Sequence, residues 1–174
     1  WDGHHEIRPP AIPENDNPVG SYVKTFVLPA EWKDRPVFIS FQGVESAFYV
    51  WLNGHFVGYS EDSFTPADFE LTPYIKEGEN RLAVEVYQRS TGAWLEDQDY
   101  WRFSGIFREV YLYTIPKVHV RDLQVRATLD DSYRTGLLGL ELRLEQPMAA
   151  RVQAEIRDAE GRSLAVLESD FREN

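Results

Sequence analysis

Apolar and polar residues alternate along much of this chain, and the alternation comes in short runs. Val37, Ile39 and Phe41 form one set, Phe48, Val50 and Leu52 a second, and Leu82, Val84 and Val86 a third. Each set places its apolar side chains on one face at period two, as a half-buried strand does. Further strands are expected over residues 21–28 and 110–113. Asn53-Gly54 stands between Val50-Trp51-Leu52 and Phe56-Val57. It is the strongest hairpin signal in the chain, because a type I′ turn needs positive φ at both central residues. Residues 63–74 carry Pro66 and Pro73 and predict a loop with at most one helical turn. Glu77-Gly78-Glu79-Asn80 predicts a turn into the next strand. Many short strands at close spacing predict an antiparallel β-sandwich or barrel.

Pro116 ends the last of these strands, and aromatic density drops sharply beyond it. Four more strand-like runs follow, at 118–128, 137–145, 151–157 and 163–168. Leu138, Leu140, Leu142 and Leu144 alternate cleanly, as do Val152, Ala154 and Ile156, with Asp158-Ala159-Glu160-Gly161 as a connecting turn. At the other end, Pro9-Pro10, Pro13 and Asn15-Asp16-Asn17-Pro18 exclude a helix. The expected organisation is an extended leading segment at 1–16, a sandwich at 17–115 and a second all-β unit at 116–174.

Composition narrows the class. At 174 residues the chain has room for one large or two small domains. No stretch is apolar and long enough for a membrane span, and the N-terminus lacks a basic-then-apolar signal pattern. It opens on Trp1 rather than Met, from which something upstream is expected to be missing. Cys is absent, so no disulfide framework exists, which fits a reducing, cytoplasmic setting. A formal charge of −11 disfavours nucleic acid and anionic membranes as partners. Phosphate-binding Gly-rich loops, Cys-based metal clusters and Gly-x-Ser-x-Gly elbows are all missing from the sequence. His4-His5 has no third ligand at a suitable spacing and reads as a solvated pair. His55 and His119 sit in no nucleophile motif.

The chemistry concentrates in residues 94–108, Trp-Leu-Glu-Asp-Gln-Asp-Tyr-Trp-Arg-Phe-Ser-Gly-Ile-Phe-Arg. The segment alternates poorly and reads as a surface loop on a rigid scaffold, where binding residues tend to sit. Its carboxylates accept hydrogen bonds, its amide both donates and accepts, and a Trp face can carry the C–H face of a sugar ring. A carboxylate such as Asp99 is also a hard oxygen ligand for a cation. The plainer alternative is a loop whose Arg and acidic residues pair on the surface while Trp94 and Trp101 fill the edge of the core. Asn17, biased to an extended backbone by Pro18, has its own plain reading as an Asx-turn residue.

The run from Glu96 to Arg108 closely resembles the signature of the N-terminal domain of glycoside hydrolase family 2 β-galactosidases. Asn17-Pro18-Val19-Gly20-Ser21-Tyr22, Val44-Glu45-Ser46-Ala47-Phe48-Tyr49-Val50-Trp51-Leu52-Asn53-Gly54, Val57-Gly58-Tyr59-Ser60-Glu61-Asp62-Ser63 and Gly78-Glu79-Asn80-Arg81-Leu82-Ala83-Val84 fall in that family's order. The resemblance is specific up to about Ile115 and weaker beyond. It implies a galactose-binding-like jelly roll followed by an immunoglobulin-like sandwich. An immunoglobulin-like domain needs about seven strands over about 100 residues, so residues 116–174 are expected to be a truncated one. The family's jelly roll also begins upstream of the proline-rich segment, so at least one strand is expected to be absent.

The resemblance assigns roles residue by residue. Asp99 would accept a hydrogen bond from a galactosyl hydroxyl and share in a sodium site, and Asn17 would bond a second hydroxyl. Asp97, Gln98, Trp101 and Arg102 would hold the loop, and Arg102 and Arg108 are plausible partners for the local carboxylates. Glu96 and Asp99 lie too close in one loop to flank a glycosidic bond from opposite sides. The family's catalytic residues, with their magnesium, lie in a downstream barrel. The expected function is therefore that of a non-catalytic N-terminal fragment, inert alone. Its expected partners are a β-galactoside, the remaining domains of the parent enzyme and further copies of it in a homo-oligomer. A β-glucuronidase or β-mannosidase fragment, or a free-standing carbohydrate-binding module, are the rival expectations.

Overall fold

The computed structural model describes residues 8–13, 15–96, 99, 101–145 and 149–171. The chain divides into two compact units, Trp1–Ile115 and Pro116–Asn174. Both are built from strands, and among the described residues no helix is long and apolar enough to cross a membrane.

In the first unit, β1 (Val19–Val27), β7 (Glu79–Tyr87), β4 (Ala47–Leu52) and β5 (His55–Ser60) form one antiparallel sheet in the order β1-β7-β4-β5. A second sheet takes the order β6-β2-β9, from β6 (Ala67–Glu70), β2 (Val37–Phe41) and β9 (Val110–Thr114). The short β3 (Val44–Glu45) pairs with β8 (Gly105–Ile106). The alternating apolar sets meet between the two main sheets. Phe48, Val50 and Leu52 stand opposite Val86, Val84 and Leu82 and face Val37, Ile39 and Phe41, all buried. Phe41, Phe48 and Phe69 pack with ring centroids 4.8 to 6.1 Å apart, geometry that aromatic quadrupoles favour.

Asn53 and Gly54 take φ of 53° and 87°, as a type I′ hairpin requires. The side chain of Asn53 donates to the Tyr74 carbonyl and to Asn80 Oδ1, both at 2.8 Å, and accepts from the Arg81 amide at 2.9 Å. Asn80 is fully buried and bonds the main chain of Lys76 and Gly78. Residues 63–74, expected to be a loop, contain β6 as well as the anticipated single turn at Thr72–Tyr74. Four residues between Pro66 and Pro73 suffice for an edge strand, where a missing ladder donor is tolerated.

An apolar groove of about 470 Å³ opens between β1 and β9, lined among others by Tyr22, Phe26, Phe41, Leu82 and Leu112. The second unit holds two antiparallel hairpins, β10 (Val120–Leu129) with β11 (Gly136–Leu144), and β12 (Ala150–Arg157) with β13 (Ser163–Phe171). Asp130 closes the first turn by accepting from the Ser132 hydroxyl and the amides of Arg134 and Thr135. Those donors hold its carboxyl at a pKa of about 2. Among the described residues, every fully buried side chain lies in the first unit.

Candidate functional site

The register of the four-stranded sheet decides which residues meet. Val19 and Ala47 both lie opposite Tyr87, and Phe48 lies opposite Ser60. Asn17 just before β1, Glu45 and Ser46 just before β4, residues 61–63 just after β5 and the loop from Gln88 to Ser104 therefore gather at one end of the sheet. The Asn53–Asn80 network occupies the other end.

At the gathering end, side chains fasten separate segments together. Asn17 Nδ2 donates to the Arg89 carbonyl at 2.9 Å, and its Oδ1 accepts from the Arg89 amide at 2.8 Å. Arg89 in turn reaches the Asp16 carbonyl at 2.9 Å and its carboxylate at 3.1 Å. Trp94 Nε1 donates to the Ala11 carbonyl at 3.1 Å. Ala11, Asp16 and Asn17 are thus tied to residues 89 and 94. Asn17 spends one bond on each polar atom, and its amide keeps a second N–H and a second lone pair.

The carboxylates here are mostly held by the scaffold. Glu61 accepts from the Thr91 hydroxyl at 2.8 Å and the Gly92 amide at 3.2 Å. Burial works against its charge, yet hydrogen bonds from Thr91, Gly92 and Tyr59 bring its pKa below the ordinary carboxylate value. A Cβ on Gly92 would stand 2.6 Å from the Glu61 carbonyl, so only glycine lets the loop approach. Asp62 is likewise lowered, chiefly by the Thr65 hydroxyl and amide, against a smaller cost of burial. Glu96 receives the Ser63 amide at 2.7 Å and the Ser63 hydroxyl at 2.6 Å, and Ser63 is fully buried. Glu45 accepts from the Ser104 amide at 2.9 Å. Ser104 and Gly105 follow with φ of 57° and 85°, and a Cβ on Gly105 would meet the Tyr22 hydroxyl at 2.9 Å.

Asp99 differs from these. It is exposed, and among the described residues no protein group donates to it. Asp97 and Gln98 lie outside the described residues, as do His4 and His5. Trp101 is 78% exposed, beyond any edge of the core. Arg102 Nη2 donates to the Glu96 carbonyl at 3.2 Å, which bridges the loop. Arg108, expected to pair with a carboxylate, instead donates to the carbonyls of Gln42 at 3.2 Å and Phe64 at 2.8 Å. Asp99 offers a cation a single carboxylate, whereas bound cations gather several ligands. Among the described residues no group of three His, Cys, Asp or Glu could hold a metal ion.

The anchors at Ser63–Glu96, Glu61–Gly92, Glu45–Ser104 and Asn17–Arg89 were not legible in the sequence, because each joins residues 31 to 72 positions apart. The Gly92 in the first half of the loop was the one local hint of a close approach.

The described residues of this region thus include an exposed carboxylate, an amide with spare hydrogen-bonding capacity and exposed aromatic rings, side-chain types that can meet hydroxyls and C–H faces. Residues 5–116 match the sugar binding domain of the glycosyl hydrolases family 2, and the chain belongs to that family. It is 67% identical over 176 residues to a β-galactosidase of Halalkalibacterium halodurans, covering 100% of this chain and 17% of that protein. It is 54% identical over 168 residues to a β-galactosidase of Clostridium acetobutylicum, covering 97% of this chain and 19% of the relative. The chain thus spans less than a fifth of the length of these curated relatives. Among solved structures, a Bacteroides uniformis β-glucuronidase superposes with a TM-score of 0.75 at 22% identity, over 88% of this chain and 20% of the other. That likeness is one of fold.

Proposed function

We propose that this chain is the sugar-binding part of a β-galactosidase that hydrolyses terminal β-D-galactosides, and that it supplies binding residues to the active site rather than the catalytic pair. The observation that carries this reading is the 67% identity to the Halalkalibacterium halodurans β-galactosidase along the whole chain. The local chemistry supports it. Glycoside hydrolysis needs two carboxylates set on either side of the scissile bond. Glu45, Glu61, Asp62 and Glu96 are each occupied by donors of their own scaffold. Asp99 remains as an acceptor for a galactosyl hydroxyl, and Asn17 keeps one donor and one acceptor for a second. Asp97, Gln98, Trp101 and Arg102 support the loop in this proposal. Asp99 contributes one oxygen to a sodium ion whose other ligands come from the rest of the enzyme, and magnesium belongs to the catalytic part. The parent enzyme is a homo-oligomer of the cytoplasm, and the chain alone is inert toward galactosides.

A chimaera tests this. The present chain replaces the matching residues of the Halalkalibacterium halodurans β-galactosidase, and hydrolysis of β-galactoside, β-glucuronide and β-mannoside substrates is compared. Activity confined to the galactoside is expected. A folded chimaera that prefers the glucuronide or mannoside would overturn the assignment.

A further inference from the structure

Glu96 and Asp99 stand in one loop, yet the scaffold treats them in opposite ways. Asp99 is exposed. Each oxygen of the Glu96 carboxylate instead takes one donor of the fully buried Ser63, the amide at 2.7 Å and the hydroxyl at 2.6 Å. The segment that carries Ser63 is itself fixed. Asp62 Oδ1 accepts from the amides of Phe64 and Thr65, each at 3.1 Å, and closes a turn around Ser63. Arg108 donates to the Phe64 carbonyl at 2.8 Å and to the Gln42 carbonyl at 3.2 Å, which ties that turn to the end of β2. Both donors of Ser63 thus point in set directions, and a side chain of Glu length meets them together.

Glu96 is held a second time through its main chain, because Arg102 Nη2 donates to its carbonyl at 3.2 Å. Asp99 lies midway between Glu96 and Arg102 in the sequence. A segment whose two ends are joined has fewer conformations to lose when a ligand orders it. The other fastenings of the loop lie farther along the chain from Asp99. Glu61 holds Thr91 and Gly92, and Glu45 holds Ser104. Among the described residues, the Ser63–Glu96 contact is therefore the tie to the scaffold that stands closest to Asp99 in sequence.

We propose that Glu96 is a positioning residue for Asp99: clamped on Ser63, it sets where the Asp99 carboxylate stands and touches no substrate itself. This rests on the proposed function for the part that Asp99 plays in galactoside binding. Galactoside binds the loop only with Asp99 in place, so a loosened clamp lowers apparent affinity by the fraction of molecules in which the loop is in place. Saturating substrate gathers the loop back. Loss of the clamp therefore raises KM at nearly constant kcat, whereas a loss of folded enzyme lowers kcat at constant KM.

Steady-state kinetics of the chimaera on a β-galactoside test this. Glu96→Ala should raise KM about tenfold and leave kcat within about twofold, as two bonds to a charged group are lost. Glu96→Asp keeps the charge but draws the carboxylate back by one CH₂, so KM should rise here too. Glu96→Gln keeps the reach and should stay within about twofold of the parent. Ser63→Ala removes the hydroxyl alone and adds no bulk, so it reads the clamp even where Glu96→Ala does not fold; KM should rise about threefold. In an Asp99→Ala background, Glu96→Ala should add less than about twofold, because the contact it positions is already gone. A lowered kcat at unchanged KM, equal KM values in the Asp and Gln variants, or effects of Glu96→Ala and Asp99→Ala that simply multiply would each overturn the proposal. If Asp99→Ala raises KM while the Glu96 and Ser63 variants do not, the positioning role fails and the proposed function stands. If Asp99→Ala leaves KM unchanged, the binding role of Asp99 fails and the positioning role fails with it.

Discussion

Replacing Glu96 by Ala should free the loop from its scaffold. Both donors of Ser63 end on this carboxylate, at 2.7 and 2.6 Å, and Ser63 is fully buried. A buried donor left without a partner costs about 1–3 kcal/mol, so the two together set a range of about 2–6 kcal/mol. Glu96 is only half-buried, and water entering the space it vacates brings the cost toward the lower end, about 2–3 kcal/mol. At 1.4 kcal/mol per tenfold, the Ser63 amide should exchange with solvent about 30- to 150-fold faster in the variant. Glu96→Gln makes a sharper comparison. The Gln carbonyl still accepts from the Ser63 amide, and its NH₂ can donate to the Ser63 hydroxyl oxygen. Only the charge assistance is lost, and charge-assisted bonds are about twice as strong as neutral ones. That variant should exchange about fivefold faster. Amide hydrogen exchange followed by NMR decides the matter. Equal exchange in the Ala and Gln variants, or no change in either, would refute the clamp.

Other consequences are as direct. Gly58→Ala would place a Cβ 2.4 Å from Phe69 Cδ1 and Cε1, against a ring already packed on Phe41 and Phe48; overpacking should cost about 1–3 kcal/mol in denaturant unfolding of the sandwich. Asn17→Asp keeps the acceptor for the Arg89 amide but loses the donor to its carbonyl, so it should cost less than Asn17→Ala, by about 1 kcal/mol in the same assay. Tyr59 and Glu61 should stabilise the fold over opposite pH limits. Burial, and then the hydrogen bond to Glu61, raise the Tyr59 phenol above its ordinary value, so its contribution is complete below about pH 10 and fades as pH climbs toward the folded value. Hydrogen bonds to Glu61 outweigh its burial and lower its pKa, so its contribution is present above about pH 4.3 and is lost as pH falls through the folded value. Ultraviolet titration of the tyrosines, with Tyr59→Phe as the control, should show one phenol ionising well after the others.

Much of the sandwich was legible because its strands obey period two without interruption. β2, β4 and β7 each bury the residues their alternation predicts, and Asn53-Gly54 turns where positive φ was required. β6 escaped detection because two prolines bracket it and only Ala67 and Phe69, two alternate residues of a four-residue strand, pack against the core. β5 hid a register shift opposite Val50 and Trp51, through which Tyr59 pairs with Tyr49 and Phe56 with Trp51 despite their odd spacing. A single extra residue reverses which side chains share a face, and no local signal announced it. In the loop, residue types gave the chemistry, while the sorting of its carboxylates did not follow from them. Whether an acidic side chain is free or already satisfied depends on donors such as Ser63 and Thr91, which the topology brings in from distant strands.

The proposed function has this chain supply binding residues to a galactoside site whose catalytic pair lies elsewhere in the enzyme. The most direct measurement mixes the purified chain with Halalkalibacterium halodurans β-galactosidase lacking the residues that the chain matches, and follows galactoside hydrolysis. Neither part should be active alone, the mixture should be active, and Asp99→Ala should remove the activity while leaving association intact. Restoration that is indifferent to Asp99→Ala, or association of the two parts without any hydrolysis, would contradict it.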